Sequence, residues 1–217
     1  MHAPADSSTK HKVMDAALRV FADCGYAASS IRDIADRAGV TKPMVYYHYG
    51  SKAGLYQALL DDCLDGSLRA MQEAAQGGRV RDRLVRFINA MLGWASANRD
   101  RIRVVVQMYS TAEGQLPSEI KFKDRLLARY EWMRALIQSG IECGEFTFGN
   151  ADLMALSIMG QTHFMMISML VFDAADHPAN LPPADQLAEA IVELFIGGAG
   201  RLPDAGAAPG GRGLPTP

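Results

Sequence analysis

Between residues 30 and 52 the sequence SIRDIADRAGVTKPMVYYHYGSK gathers hydroxyls, cations and tyrosines at a spacing suited to holding phosphate. Two short apolar-faced segments flank Gly39, Val40 and Thr41, and the second displays Lys42, Met44, Tyr46, Tyr47 and His48. Thr41 can bring its hydroxyl and the first-turn N–H groups to a phosphate, because a helix N-terminus carries unsatisfied donors and a partial positive charge. Tyr46 can donate its hydroxyl to a second phosphate, against a competing role in core packing. Lys42 can meet a phosphate or a base, or stay solvated. Tyr47 can touch a base methyl or a phosphate, and Met44 can read a base edge or a methyl. His48 divides between DNA contact and packing or capping at the helix end. Ser29 or Ser30 can hold a phosphate at the start of the first segment, although capping alone explains Ser30. Arg32 is a candidate backbone or minor-groove contact. Lys52 supplies charge beside the positive end of the helix that follows.

Such chemistry needs positioning, since a two-turn helix is not stable alone in water. Clamped between longer helices, it has the right size for the major groove of DNA. The pattern supplies the clamps. Val13, Ala16, Ala17, Val20, Phe21 and Cys24 form one apolar face of a first helix starting near Thr9 and stopped by Gly25. Ser30 and Asp33 make a variant capping box, Thr41 and Pro43 open the third helix, and Ser51 caps a long fourth one running to about Gln76. Ile34, Ala35, Ala38, Val40 and Val45 read as core. Further helical patterns occupy residues 81–98, 100–112, 117–143, 153–172 and 184–196, without strand alternation or internal repeat. The expected fold is all-α, with about nine helices.

Other chemistries find no footing. His2, His11, His48, His163 and His177 do not cluster with carboxylates at metal-ligand spacing, and no phosphate loop or nucleophile elbow occurs. No catalytic residue, metal or cofactor is expected, and the chain does not read as an enzyme. Cys24, Cys63 and Cys143 are odd in number and far apart, which argues against a disulfide framework. Cys24 and Cys143 are expected to be buried free thiols.

Of 217 residues, 49% are hydrophobic and 21% charged, so the bulk must fold. The net charge of −2 gives nucleic-acid binding no support overall, yet residues 1–56 carry seven Lys/Arg against five Asp, leaving the remainder at −4. Residues 1–8 hold no apolar run, so no signal peptide is read there and the cytoplasm is expected. Residues 153–172 lack any Asp, Glu, Lys or Arg over the length of a membrane span. They nevertheless contain Ser157, Gly160, Gln161, Thr162, His163 and Ser168 without basic flanks. A helix buried inside the protein or a subunit interface is expected there, and no membrane partner.

The first segment closely resembles the DNA-binding domain of the TetR family of bacterial transcriptional regulators. Gly25-Tyr26, Ser29-Ser30, Ile34-Ala35, Ala38-Gly39-Val40, Thr41-Lys42, Val45-Tyr46, His48-Tyr49, Ser51-Lys52 and Leu55 carry the likeness over about residues 10–60. Tyr49 stands where the family often has Phe, so its hydroxyl needs a partner. Met44 stands where small or hydroxylic residues are common. The resemblance implies a helix-turn-helix domain at 9–56, joined by the long fourth helix to a helical ligand-binding and dimerisation domain at 57–197. It also implies a dimer formed through the last two helices. Residues 198–217 read as a disordered Gly/Pro-rich tail.

The body offers a pocket by composition. Met91, Trp94, Met108, Tyr109, Phe122, Tyr130 and Met133 are large and soft or aromatic, as are Trp132, Phe164, Met165 and Met166. Each is equally adequate as core. Gln107, Gln161 and His163 are polar among apolar neighbours and are candidates to orient a ligand or to bond between helices. Arg101, Arg103, Arg125, Arg129 and Arg134 could attract an anion, but the body's negative charge points to a hydrophobic or amphipathic ligand, aromatic or cationic ones included. The expected function is that of a homodimeric, sequence-specific transcriptional repressor. It would bind a palindromic double-stranded operator and be released by such a small-molecule effector. An activator or ligand-independent regulator is the alternative, and a helical enzyme or small-molecule carrier the remote one.

Overall fold

A computed structural model describes residues 4–111, 116–146, 149–172 and 184–199. Nine helices and no strand lie among them: α1 (Pro4–Ala28), α2 (Ile31–Ala38), α3 (Lys42–Tyr49), α4 (Lys52–Ala74), α5 (Val80–Ala97), α6 (Arg99–Ser110), α7 (Lys123–Glu142), α8 (Ala151–Val171) and α9 (Ala184–Ala199). Of the tail expected from residue 198, only 198 and 199 fall among the described residues, and they are the end of α9.

The punctuation of α1 to α4 is set by local chemistry. Gly25, at φ 75° and ψ 176°, breaks the helical path of α1 before its last three residues. Ser30 accepts from the Asp33 N–H at 3.1 Å and donates to the Asp33 carboxylate at 2.7 Å. Gly39 ends α2 at φ 66°, ψ 35°, a left-handed conformation that costs any other L-residue energy. Ser51 accepts from Gly54 N–H at 2.9 Å and starts α4. Thr41 occupies the N-cap of α3, but its side chain makes no capping bond.

Two apolar cores share α4. Val13, Ala17, Phe21, Ile34, Ala35, Val45, Leu55, Tyr56, Leu59 and Leu60 form the first. Val104, Val105 and Met108 of α6, with Ile120, complete it, so α6 is built into the N-terminal core. Met71 and Ala75, at the far end of α4, join α5, α7, α8 and α9 in the second core. Cys63 is buried in the first core, and burial pushes its thiol up to about 11, which keeps it un-ionised.

Several expectations are corrected. The helix expected from Pro117 starts at Lys123. Ile120 is drawn into the first core, and the Gln57 side chain binds both backbone groups of Lys121, accepting from its N–H at 2.6 Å and donating to its C=O at 2.9 Å. A partner distant in sequence thus satisfies backbone groups that a helix would have used. Cys24 and Cys143 are exposed, not buried. Each sits at a helix end, Cys24 beside the Gly25 break and Cys143 at the C-cap of α7. Helix α8 buries one side, through Met154, Ala155, Ile158, Thr162 and Met166, and leaves Leu153, Leu156, Phe164 and Val171 exposed. It is the one helix among the described residues long and apolar enough to cross a membrane.

The α7–α8 connection folds back on α5. The Glu145 carboxylate accepts from the N–H groups of Val80 at 3.1 Å and Arg81 at 3.2 Å, placing negative charge on the N-terminus of α5. Phe146 packs directly on Gly140, where an added Cβ would overlap the Phe146 ring and lie 3.1 Å from Val80. Helix propensity alone would favour Gly140→Ala by up to ~1 kcal/mol. The overlap outweighs it, at about 1–3 kcal/mol for overpacking. Thermal unfolding of Gly140→Ala is therefore expected several degrees lower. An unchanged or raised midpoint would show that the ring moves aside freely.

Candidate nucleic-acid interface and ligand cleft

Helix α3 buries a single residue, Val45, against the first core. The remaining surface is spent outward: Lys42 is exposed, Met44 is 37% exposed, Tyr46 49% and Tyr47 76%. Three large side chains on a two-turn helix thus face solvent. Their backbone is held from behind. Tyr49 donates its hydroxyl to the Lys10 carbonyl at 3.0 Å, which ties α3 to α1 and supplies the partner that its hydroxyl needs. The Lys10 ammonium lies 6.0 Å from the Tyr49 ring centroid. Burial raises the Tyr49 pKa, so the phenol remains a donor at neutral pH.

The ten candidate contacts fall into two groups. Thr41, Lys42, Met44, Tyr46 and Tyr47 share the exposed end and outer surface of α3. Arg32 is also exposed and lies 3.7 Å from Asp36 on its own helix. The others are engaged within the fold. Ser29 is buried and donates to the Tyr26 carbonyl at 2.7 Å. Ser30 is occupied by the capping box. His48 is half-buried, edge-on to Tyr47 at 5.2 Å and to Tyr49 at 6.3 Å between ring centroids. Lys52 donates to the Ser29 carbonyl at 2.5 Å and lies 4.5 Å from the Tyr26 ring centroid. Burial lowers the Lys52 pKa, and its cation serves here as a clamp between α4 and the turn before α2.

In the body, α5, α6, α7 and α8 enclose a cleft of about 320 Å³. Phe87 and Met91 come from α5, Tyr109 from α6, Arg129 from α7, and Leu156, Met159, Gly160, Thr162, His163 and Met166 from α8. Tyr109 and His163 meet edge-to-face at 4.8 Å. Burial lowers the His163 pKa, with Arg129 adding to the shift, so the imidazole is neutral at physiological pH. Burial raises the Tyr109 pKa, and Arg129 opposes that shift.

Of the ten ligand candidates, Met91, Tyr109 and His163 line this cleft. The rest are elsewhere. Met133 is core, and Met108 belongs to the first core, not the body. Trp94 packs against the body core, and Phe122 against the first core. Gln107 donates its amide to the Ala22 carbonyl at 3.1 Å, bonding α6 to α1. Tyr130 donates to Asp152, and Gln161 is exposed. Sequence reasoning singled out none of Leu156, Gly160 and Thr162 for a ligand, and they share α8 with His163 in this cleft. Leu156, Gly160 and His163 have helical spacing, but nothing local says which side of α8 they take. Arg129 left a signal, standing three residues after Leu126 and four before Met133 on the apolar stripe of α7. A second concavity, of about 350 Å³, lies at the α5–α6 corner between Leu18 and residues 96–101.

Comparison with known proteins decides what this arrangement belongs to. Residues 13–59 match the family model described as bacterial regulatory proteins, tetR family, and residues 77–166 match the tetracyclin repressor-like C-terminal domain. This chain belongs to the TetR family. The TetR-family match covers both the helix-turn-helix and the body, so the chain is a DNA-binding transcriptional regulator and not an enzyme. It is 25% identical over 193 residues to the HTH-type transcriptional activator FasR of Mycolicibacterium smegmatis, covering 88% of this chain and 83% of FasR. It is 27% identical over 112 residues to the negative transcriptional regulator IcaR of the biofilm operon icaADBC in Staphylococcus epidermidis, covering 52% and 59%. The TetR-family fold is shared with the regulator FadR from Bacillus subtilis, solved in complex with stearoyl-CoA. The TM-score is 0.74 at 19% identity, over 87% of this chain and 98% of that one.

Proposed function

We propose that this TetR-family chain acts as a cytoplasmic homodimer. It represses transcription from a palindromic operator and releases it when a small, apolar-bodied ligand enters the α5–α8 cleft. The outward display of Lys42, Met44, Tyr46 and Tyr47 on a clamped two-turn helix carries the DNA half of this reading. One such helix reads only one half-site, so two-fold symmetry is how the module gains length and affinity. The exposed apolar residues of α8, with Leu194 of α9, support pairing through the last two helices. The stearoyl-CoA bound by the Bacillus subtilis FadR supports an apolar chain as part of the ligand.

Helix α6 supports a route between cleft and DNA. It carries Tyr109 into the cleft, Gln107 onto the α1 carbonyl of Ala22, and Val104, Val105 and Met108 into the first core. Arg101 of the same helix pairs with Asp62 of α4. A ligand that favours one position of α6 shifts α1 and α4 with it, and thereby the spacing of two recognition helices in a dimer. Switching requires a ligand with different affinities for the two arrangements. The likeness to FasR over most of the chain supports activation as the second reading. Transcription from the regulated promoter, with and without the gene, separates the two.

Selection of bound duplexes from a random library tests the DNA reading. Enrichment of inverted repeats is expected. Enrichment of isolated half-sites, or none, contradicts it.

A further inference from the structure

An arginine in an apolar wall loses hydration that some partner must offset. Most arginines of the body have obvious partners. Arg81 pairs with Glu193, Arg101 with Asp62, Arg103 with Asp100, Arg125 with Asp61 and Asp65, and Arg134 with Asp152. Arg83 and Arg86 cover main-chain carbonyls at the end of α4. Arg129 differs. Its Nη2 donates to the neutral Ser67 hydroxyl at 2.6 Å, and no carboxylate of the described residues pairs with it. It stands in the wall of the cleft beside Phe87, Met91, Tyr109 and His163. Its side chain is half-buried, and burial lowers its pKa while Tyr109 opposes that shift. A guanidinium presents about five N–H donors in a planar fork, and the Ser67 hydroxyl engages only one of them.

We propose that the cleft selects an anionic amphiphile, its carboxylate or phosphate paired with Arg129 and its apolar chain or ring lying along Phe87, Met91, Met159 and Met166. This rests on the reading of the body as the effector-binding part and names the chemistry of the effector. It also reverses the expectation drawn from net charge. The body's −4 is spread over a surface where charges are screened beyond about 8–10 Å. Arg129 would touch the ligand directly, so the local cation decides, and cationic amphiphiles are excluded. The 320 Å³ volume stands near the lower end of the ~300–1,000 Å³ usual for ligand sites. It therefore holds a medium chain or a small ring system.

Calorimetric titration of the full chain without DNA tests this, using decanoate, decanol, decyltrimethylammonium and decyl phosphate below their micellar concentrations. Charge-assisted hydrogen bonds predict that at least one of the two anions binds about tenfold or more tighter than decanol, with no measurable binding of the ammonium. Whichever anion is tighter identifies carboxylate or phosphate as the group recognised. Arg129→Gln should abolish the preference and Arg129→Lys should retain most of it, with helicity and oligomeric state checked for both. Decanol binding as tightly as both anions, no anion binding, or a preference surviving in folded Arg129→Gln overturns the proposal. The same ligands are then added to the protein–operator complex. An Arg129-dependent anion that leaves operator affinity unchanged upholds the site and defeats ligand-driven release.

Discussion

Phe164→Asp is expected to yield a folded monomer that no longer holds an operator. Phe164 is 70% exposed on α8, so the substitution removes little from the core of one chain. Leu153, Leu156 and Val171 lie on the same side at helical spacing, and Leu194 of α9 is 74% exposed. An apolar stripe of this kind is an interface in search of cover. In a two-fold dimer each substitution occurs twice, so two carboxylates would be desolvated across one interface. The linkage of two half-site contacts is worth roughly 10²–10⁴ in affinity, and that is the loss expected once the chains separate. Sedimentation gives the mass, and fluorescence anisotropy gives the operator affinity. An intact dimer in Phe164→Asp would remove α8 from the interface.

Lys42→Ala and Tyr46→Phe are expected to weaken DNA binding while leaving helicity and dimerisation intact. Both side chains are exposed, and Val45 and the Tyr49–Lys10 bond hold α3 without them. In a two-fold dimer each such phosphate contact would occur twice. A charge-assisted bond contributes about 1.5–3 kcal/mol, so Lys42→Ala should reduce affinity by at least tenfold and by far more if both half-sites lose the full amount. Two lost cations should lower the salt slope by about 1.8. Specific and non-specific binding should fall together, because phosphates carry no sequence information. Unchanged affinity in both variants would exclude these residues as phosphate contacts. Met44→Ala is the counterpart: a changed preference among operator variants would assign it to a base edge or methyl.

The DNA-binding end was legible because its signals are local. Ser30, Gly39, Pro43 and Ser51 each act within four residues of their own position, through a cap, a left-handed turn or a fixed φ. What escaped there was the direction of long side chains. Lys52 is drawn back by the Ser29 carbonyl and the Tyr26 ring, two partners brought close only by the packing of α1, α2 and α4. The body was legible as helices but not as a site. Its cleft is assembled from four helices, and periodicity identifies an apolar face without saying what that face meets. Met108, Met133 and Met91 have the same chemistry and all are core, yet only Met91 also lines the cleft. The delayed start of α7 shows the same limit, since Gln57 supplies what the residues around Pro117 could not announce.

The common thread is a helix shared between two tasks. Gln107 was read as orienting a ligand or bonding between helices, and it takes the second role, fastening α6 to α1, while Tyr109, two residues on, lines the cleft.

The most direct measurement is light scattering of the full chain bound to a duplex recovered by selection. A free chain weighs 23.5 kDa. The complex should contain the duplex plus an even number of chains, two in the simplest case, and the free protein should weigh twice the single-chain value. A single chain bound per duplex with undiminished specificity, or a free protein that remains at 23.5 kDa at micromolar concentration, would contradict the symmetric DNA-binding dimer.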